Sequence, residues 1–308
     1  MGDEPDYPAI LAEIQAQVRP YVGQGAVADY IPELAKAPLD RWGLAVATLD
    51  GRVYTAGEAE EAFSIQSISK LFSLTLALQL VGPTLWERVG REPSGDPFNS
   101  LVQLEHEAGV PRNPFINAGA LVVTDVIRSH VPDAAQAVLD LIHRAAGDEA
   151  ARFDGAVAQS ERETGHRNRA VAHFMKSFGR LRNDVDEVLD AYFHHCSISM
   201  SCADLARASL FLANRGRSPY TDEQLLPAEW TKYVNALMLT CGTYDAAGDF
   251  AFRVGLPTKS GVGGGLLAVM PQGFAACAWS PGLDRVGNSI AGAKALELLA
   301  QATGLSIF

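Results

Sequence analysis

Segments with the pattern of β-strands occur at both ends of this chain, and helical patterns fill the middle. Near the N-terminus, two such runs flank Asp50-Gly51 in "WGLAVATLDGRVYTAGE", and Asp-Gly between strands is a strong hairpin signal. Near the C-terminus, "DFAFRVGLP", "KSGVGGGLLAVMP" and "FAACAWSP" favour three further strands, and "SIAGAKALELLAQATG" favours a closing helix. Because strands need partners, these segments predict one antiparallel sheet assembled from distant parts of the chain.

The middle of the chain predicts a helical subdomain. Residues 8–18 and 26–36 favour short helices, and from about 66 to 232 the pattern is mostly helical, with breaks at "GREPSGDPFNS", "GVPRNPFINAG" and "NRGRSPY". We therefore expect a single domain over 1–308 of the α/β (α+β) class. Its α/β subdomain would take residues 1–63 and 233–308, and its helical subdomain residues 64–232. A cleft between the two is the expected site.

Composition and charge argue against several classes of partner. The chain has 25 Lys and Arg against 36 Asp and Glu, a net charge of −11 that disfavours nucleic acid. Its first residues, "MGDEPDYPAI", lack the features of a signal peptide. The longest apolar run, "LFSLTLALQLV", is shorter than a membrane helix needs and predicts a buried helix instead. We expect a cytoplasmic protein with no membrane partner.

The cysteines indicate neither disulfides nor a metal. Cys196, Cys202, Cys241 and Cys277 form no C-x-x-C pair, which favours free thiols. The "HHC" at 194–196 places adjacent side chains in different directions and has no second ligand cluster. No metal and no cofactor is expected.

The stretch "SIQSISKLF", residues 64–72, contains one serine with a possible base beside it. Ser67 and Lys70 stand three apart, a spacing that puts both on one helix face, and a serine needs a base to become a nucleophile. Such a pair occurs by chance in about one chain in three, so a helix-surface pair is the plain alternative. In an apolar helix, however, a buried lysine has a lowered pKa and can act as a base.

A second candidate motif lies in "LPTKSGVGGGLLAVMP". Lys259-Ser260-Gly261 opens a predicted strand, and the glycines that follow would let another segment or a ligand approach the backbone closely. The alternative is a glycine-rich strand with an exposed lysine. A phosphate-binding loop is excluded, because the Walker spacing is absent.

Ser-x-x-Lys followed much later by Lys-Ser-Gly is the pairing found in β-lactamases and penicillin-binding proteins. With these two motifs in place, the chain resembles the serine-dependent glutaminase family, which has the β-lactamase/transpeptidase-like fold. The resemblance runs from near residue 25 to the C-terminus, through "GAVADYIPELA", "FSIQSISKLF", "GREPSGDPFNS", "NPFINAGALVV", "SERETGHRNRAVA", "VLDAYFHHCSISMSCADLA" and "MLTCGTYDAAGDFAFRVGLPTKSGVGGGLLAV". It implies a single glutaminase domain, assembled as a homodimer or homotetramer.

The resemblance implies L-glutamine as the substrate and a serine-lysine pair as the catalyst. Ser67 would be the nucleophile, and Lys70 the base that takes its proton. A γ-glutamyl ester on Ser67 would follow the loss of ammonia, and water would hydrolyse that ester to L-glutamate. The implied oxyanion hole is the backbone N–H of Ser67 and of Val262, with the glycines around Val262 allowing the close approach.

Two further catalytic groups are implied. Tyr244 would relay a proton to the leaving group, because a phenol beside lysines has a lowered pKa. Lys259 would supply the positive potential that keeps Lys70 neutral. Tyr192 is implied as a pocket wall and hydrogen-bonding partner. In the alternative interpretation, both tyrosines are aromatics at the edge of the core.

The implied substrate pocket recognises both charges of an amino acid. Glu161 would pair with the α-ammonium, Asn117, Asn168 and Tyr30 would contact the α-carboxylate or complete that network, and Gln66 would line the pocket. The spacing of seven between Glu161 and Asn168, two helical turns, predicts that they face the same way. Structural alternatives are a capping role for Asn117 and surface roles for Glu161 and Asn168.

Two other functions stay open on the sequence alone. A penicillin-interacting hydrolase or transpeptidase would keep the fold, but its usual Ser-Asp-Asn motif does not occur in the chain. A catalytically silent amino-acid-binding module would keep the cleft, but it has no need of Ser67, Lys70, Tyr244 and Lys259 together.

Overall fold

A computed structural model of the protein describes residues 5–94 and 101–308. Part of the predicted break at "GREPSGDPFNS" therefore lies outside the described residues. The strands in the described ranges are β1 (Gly43–Thr48), β2 (Val53–Gly57), β3 (Phe63–Ser64), β4 (Arg152–Phe153), β5 (Ile198–Met200), β6 (Thr258–Ser260), β7 (Gly265–Met270) and β8 (Phe274–Trp279).

The main sheet joins the two ends of the chain. It has five strands in the order β2-β1-β8-β7-β6, and every neighbouring pair is antiparallel. Val46 lies opposite Ala276, so the N-terminal hairpin pairs directly with the C-terminal strands. This confirms the predicted antiparallel sheet. A second sheet, in the order β3-β5-β4, was not predicted.

Helices cover both faces of the main sheet. The helices in the described ranges are α1 (Tyr7–Val18), α2 (Ser69–Val81), α3 (Val102–His106), α4 (Asn117–Arg128), α5 (Ala134–Ala146), α6 (Gly155–Thr164), α7 (His166–Ser177), α8 (Val185–Cys196), α9 (Cys202–Ser209), α10 (Ala228–Cys241), α11 (Ala247–Arg253) and α12 (Ile290–Thr303). Along β1, Leu44 and Val46 join a core with α1 and α12, while Ala45 and Ala47 join a larger core that contains α2 and α9. This alternation is the period of two that a strand imposes.

Helix α2 crosses the middle of the larger core. Its first ten residues, 69–78, are all buried, and they carry no apolar stripe because the helix has no solvent face. The predicted buried helix is thus confirmed. The four cysteines are buried free thiols, as expected.

Two element predictions were wrong. Residues 26–36 are not a helix: only Leu34–Lys36 form a 3-10 turn, and the segment is instead fixed by the paired backbone bonds of Ala26 and Leu283. The expected strand "DFAFRVGLP" is largely helix α11, which buries Phe250 and leaves Phe252 90% exposed. The apolar pair that packs is Phe250 with Val254, at helical spacing of four.

The glycine-rich segment is a turn rather than part of one long strand. Residues 261–264 connect β6 to β7, and Trp279 Nε1 donates to Gly263 O at 2.9 Å. A Cβ on Gly263 would lie 2.0 Å from Ser64 O, and one on Gly261 would lie 2.4 Å from Ile65 O. The expected close approach is therefore real, and the segment approached is the one that leads into Ser67.

Gly263→Ala should lower the free energy of unfolding by roughly 1–3 kcal/mol, because the new methyl meets a backbone oxygen that moves only if its own segment moves. Urea denaturation would measure this. The matched control is Gly155→Ala, whose Cβ meets nothing within 4 Å. Equal unfolding midpoints for the two variants would contradict the close packing of this turn.

Candidate active site

Ser67 lies in a strained turn at the entrance to α2. Residues Gln66–Ile68 form a 3-10 turn that runs into the helix, and Gln66 has a positive φ of 49°, which side chains other than glycine rarely adopt. Ser67 is buried except for 8% of its surface. A Cβ on Gly261 would lie 3.3 Å from Ser67 N, so the glycine turn lies directly against this backbone N–H.

Lys70 is buried one turn beyond Ser67. Only 1% of it is exposed, and burial lowers its pKa to about 8, although Cys196 and Glu161 oppose the shift. Its Nζ donates to Phe115 O at 3.2 Å and to Asn117 Oδ1 at 2.6 Å. Within the described residues these are its hydrogen bonds, and Ser67 Oγ is not among its partners. A neutral amine has two N–H groups and one lone pair, so these two acceptors leave the lone pair for a proton.

Asn117 connects the lysine to the outer part of the site. It is the first residue of α4. Its Nδ2 donates to Asn168 Oδ1 at 2.9 Å. Its side chain therefore bridges Lys70 and Asn168. The capping alternative is not what this side chain does, because Asn117 Oδ1 accepts from the lysine instead.

Glu161 lies in the same region with 5% of its surface exposed. Burial raises its pKa from 4.5 to about 7, while a hydrogen bond from Gln66 and the charge of Lys70 lower it. Glu161 and Asn168 converge as expected, but they do so from two helices, α6 and α7, separated at Gly165. The predicted reason, one continuous helix face, was wrong.

Tyr244 and Lys259 complete the buried part of the site. Lys259 is fully buried, and its Nζ donates to Gly242 O at 3.1 Å and Ser260 O at 2.7 Å. Burial, then the neighbouring Lys70, hold its pKa well below the usual range. The Nζ lies 5.1 Å from the centre of the Tyr244 ring.

The Tyr244 phenol is neutral at physiological pH. Burial raises its pKa to about 12, although hydrogen bonds with Ser67 and Ser260 lower it. The expectation that nearby lysines lower this pKa below its normal value was therefore wrong, since burial disfavours the phenolate more than the two hydrogen bonds favour it. Tyr244 also has a positive φ of 55°. A neutral phenol joined to Ser67 can donate a proton, but it does not act as a phenolate.

These groups surround a cavity of about 220 Å³, the scale of a small polar molecule. Its lining includes every residue predicted to bind substrate: Tyr30, Gln66, Ser67, Asn117, Glu161, Asn168, Tyr192, Tyr244 and Val262. Lys70 and Lys259 are absent from the lining and lie below it in the core. Tyr30 is 57% exposed, whereas Tyr192 is buried, with its ring centre 5.9 Å from Lys70 Nζ.

The sequence interpretation missed several residues of the lining. Ile31 follows Tyr30, Cys196 stands one helical turn beyond Tyr192, and the rest lie between Glu161 and Asn168: Thr164, Gly165 and Arg167. Their spacing from predicted residues was the available signal. The "HHC" residues serve other contacts: His194 Nδ1 lies 2.8 Å from Asp190 O and His195 Nε2 lies 3.0 Å from Ala134 O. Residues 5–94 and 101–308 contain no cluster of three or more potential metal ligands.

Comparison with known proteins agrees with this geometry. A family model described as Glutaminase matches residues 25–308. A glutaminase from Paraburkholderia phytofirmans is 57% identical over 303 residues, covering 98% of this chain and 100% of that protein. One from Aeromonas salmonicida is 58% identical over 300 residues, covering 97% of this chain and 98% of that protein.

Solved structures give the same result. The probable glutaminase ybaS matches with a TM-score of 0.94 at 38% identity, over 98% of both chains. A probable glutaminase from Bacillus subtilis, complexed with 6-diazo-5-oxo-L-norleucine, matches with a TM-score of 0.89 at 34% identity, over 100% of this chain and 99% of that one.

In the ligand-free protein, we expect the Glu161 carboxyl to titrate near pH 7, because burial disfavours its charged form. Carbon-13 NMR of glutamate-labelled protein would follow the titration, and Glu161→Gln would assign the resonance. Gln66→Ala should raise the pKa further, since the Gln66 hydrogen bond lowers it. Titration near pH 4.5 in both proteins would contradict this account of the pocket.

Proposed function

The chain belongs to the glutaminase family and hydrolyses L-glutamine to L-glutamate and ammonia, and we propose that it does so through a γ-glutamyl ester on Ser67. One observation carries the proposal. Ser67 lies on the wall of a cavity lined by all the residues predicted to bind an amino acid, one turn from a buried lysine whose pKa is about 8. A serine in that setting has a base near its own hydroxyl.

Substrate recognition divides the two charges of glutamine between two parts of the cavity. Glu161 pairs with the α-ammonium, and the approach of that cation favours the charged carboxylate over the protonated form. Asn117, Asn168 and Tyr30 contact the α-carboxylate or complete its hydrogen-bond network. The amide at the other end then extends toward Ser67, while Gln66 and Tyr192 form the walls.

Lys70 acts as the base. With a pKa of about 8, Lys70 is neutral in roughly one tenth of the enzyme molecules at pH 7, since each pH unit changes the ratio of neutral to charged amine tenfold. The neutral amine takes the Ser67 proton as the oxygen attacks the amide carbon. Both N–H groups of that amine already have acceptors, so its lone pair is the free position.

The tetrahedral intermediate places a negative charge on the former amide oxygen. The backbone N–H groups of Ser67 and Val262 stabilise it, a role supported by the contact between the glycine turn and the Ser67 backbone. One such donor contributes roughly 2.7–4 kcal/mol to lowering the barrier. Any side chain at Gly261 would push the two segments apart and open this hole.

Collapse of the intermediate expels ammonia, and the leaving nitrogen needs a proton. Tyr244 donates it as a neutral phenol, and the proton that Lys70 took from Ser67 replaces the one that Tyr244 lost. The Lys259 Nζ lies 5.1 Å from the centre of the Tyr244 ring, and its protonated form assists this transfer. Water then attacks the ester carbon with Lys70 again as base, which releases L-glutamate and restores Ser67.

Three expectations from the sequence stay predictions: a homodimer or homotetramer, a cytoplasmic location, and the lack of nucleic-acid or membrane partners. The burial of α2 supports the last of these, because it accounts for the most apolar stretch of the chain.

Ser67→Ala should abolish covalent labelling by 6-diazo-5-oxo-L-norleucine, because no oxygen remains to attack the analogue. Intact-protein mass spectrometry would detect the adduct. Ser69→Ala is a matched control, since within the described residues the buried Ser69 Oγ has no hydrogen-bond partner. We expect the control to label and to turn over normally. An adduct that persists on another residue of Ser67→Ala would rule out this nucleophile.

Lys70→Arg should lower kcat for ammonia release by about 10²–10⁴, because a guanidinium stays protonated and cannot accept the Ser67 proton. Near-ultraviolet circular dichroism would verify the fold. The control is Lys294→Arg in α12, where the lysine pairs with Glu297. Turnover close to wild type in Lys70→Arg would assign the base elsewhere.

A further inference from the structure

Both acceptors that hold Lys70 come from one short turn. Phe115 O and Asn117 Oδ1 accept from its Nζ, and the two residues are separated only by Ile116. Phe115 also contacts the second lysine, because the Lys259 Nζ lies 5.6 Å from the centre of its ring. The conformation of this turn therefore sets where the Lys70 amine points.

A buried asparagine fixes that conformation. Asn113 is 1% exposed, and its Oδ1 accepts from Phe115 N at 3.0 Å and Ile116 N at 3.1 Å. An asparagine that binds backbone N–H groups two and three residues ahead replaces the backbone carbonyl that would close an ordinary turn. The Ile116 N–H shares a planar trans peptide with the Phe115 carbonyl and points the opposite way. Holding that N–H on Asn113 Oδ1 therefore leaves the carbonyl directed at the lysine.

The same side chain ties the turn to a neighbouring segment. Asn113 Nδ2 donates to Glu92 O at 2.8 Å, extending a short backbone pairing in which Gly90 N and Glu92 N donate to Pro111 O and Arg112 O. On the other side, a Cβ on Gly119 would lie 1.9 Å from Asn113 O. Helix α4 and the 90–92 segment therefore hold the turn from two directions.

We propose that Asn113 is a positioning residue for Lys70: it holds the 113–117 turn so that Phe115 O and Asn117 Oδ1 take both N–H groups of the amine and leave its lone pair for Ser67. The proposal rests on the role of Lys70 as base. Asn113 is not part of the cavity lining, so it acts through the turn and not by contact with glutamine.

A positioning role for Asn113 predicts a change in the pH profile that a purely structural role does not. If the turn loosens, the amine loses its orientation and water gains access to it, so the base changes in both rate and pKa. The titratable groups that act on Lys70 are Glu161 and Cys196, and those that act on Lys259 are Lys70, Cys241 and Cys196. We expect them to stay in place, along with Tyr192, whose ring centre lies 5.9 Å from Lys70 Nζ. A shift in the pH profile would then report on the turn.

Asn113→Ala tests this with the full-length enzyme and L-glutamine. We expect kcat to fall by about 10- to 100-fold, the size of effect that misplacing a catalytic group by about 1 Å produces. The acidic limb of the kcat/KM profile should move to higher pH, because solvent reaching Nζ reverses part of the effect of burial. The matched control is Asn235→Ala, another buried asparagine, whose Nδ2 donates to Leu212 O at 3.1 Å. Asn235 is not among the hydrogen-bond partners of either lysine in the described residues. Its acidic limb should not move.

Asn113→Asp separates the accepted from the donated hydrogen bonds. It keeps an oxygen for Phe115 N and Ile116 N and loses the bond to Glu92 O, so kcat at pH 9 should recover to within about fivefold of wild type. This variant also decides the question if Asn113→Ala does not fold. An aspartate variant that folds but is inactive at pH 9, or an alanine variant with wild-type kcat and pH profile, would overturn the proposal. Neither result would affect the assignment of Ser67, which the labelling experiment tests separately.

Discussion

The burial of one amine shapes the whole site. Lys70 has a pKa of about 8 in place of 10.5, so its charged form costs roughly 3 kcal/mol more in the folded protein than in water. Below pH 8 the folded state carries that cost in full, because the lysine is protonated both folded and unfolded. The cost disappears as pH rises from about 8 to 10.5, where only the unfolded chain holds the proton. The rest of the core must offset it at neutral pH.

The hydrogen-bond partners of the two lysines satisfy their N–H groups without raising their pKa values again. Among residues 5–94 and 101–308, Lys70 and Lys259 donate to backbone carbonyls and one side-chain amide, and to no carboxylate. These neutral acceptors satisfy the N–H groups, whereas a carboxylate in contact would restore the charged form and raise the pKa. Glu161 acts on Lys70 electrostatically, but its own pKa is raised to about 7 by burial, which limits the negative charge it carries in the empty cavity.

Features set by residues close together in the sequence were predictable, and features set by contacts between distant residues were not. The Asp50-Gly51 hairpin follows from turn chemistry and was predicted correctly. The burial of Lys70 in an apolar helix was also predicted, while the catalytic roles of Ser67 and Lys70 stay predictions. The strand predicted over residues 250–254 was wrong, because their apolar pattern fits a strand as well as a helix and only packing decides between them. Asn113 was missed for a similar reason: an asparagine before proline signals a turn in any protein, and its importance comes from a lysine that lies 43 positions away in the sequence.

Backbone strain ties this geometry to the core. Six described residues other than glycine have positive φ, and two of them, Gln66 and Tyr244, adjoin Ser67, one in sequence and one by hydrogen bond. Such conformations cost about 1–3 kcal/mol each and persist only where the surrounding structure imposes them. Here the glycine turn, residues 261–264, packs against residues 64–67, and these residues lead into the buried helix α2. Ser67 is therefore held by packing from segments nearly 200 residues apart in the sequence, so a small loss of core packing should degrade the site before the fold itself is lost.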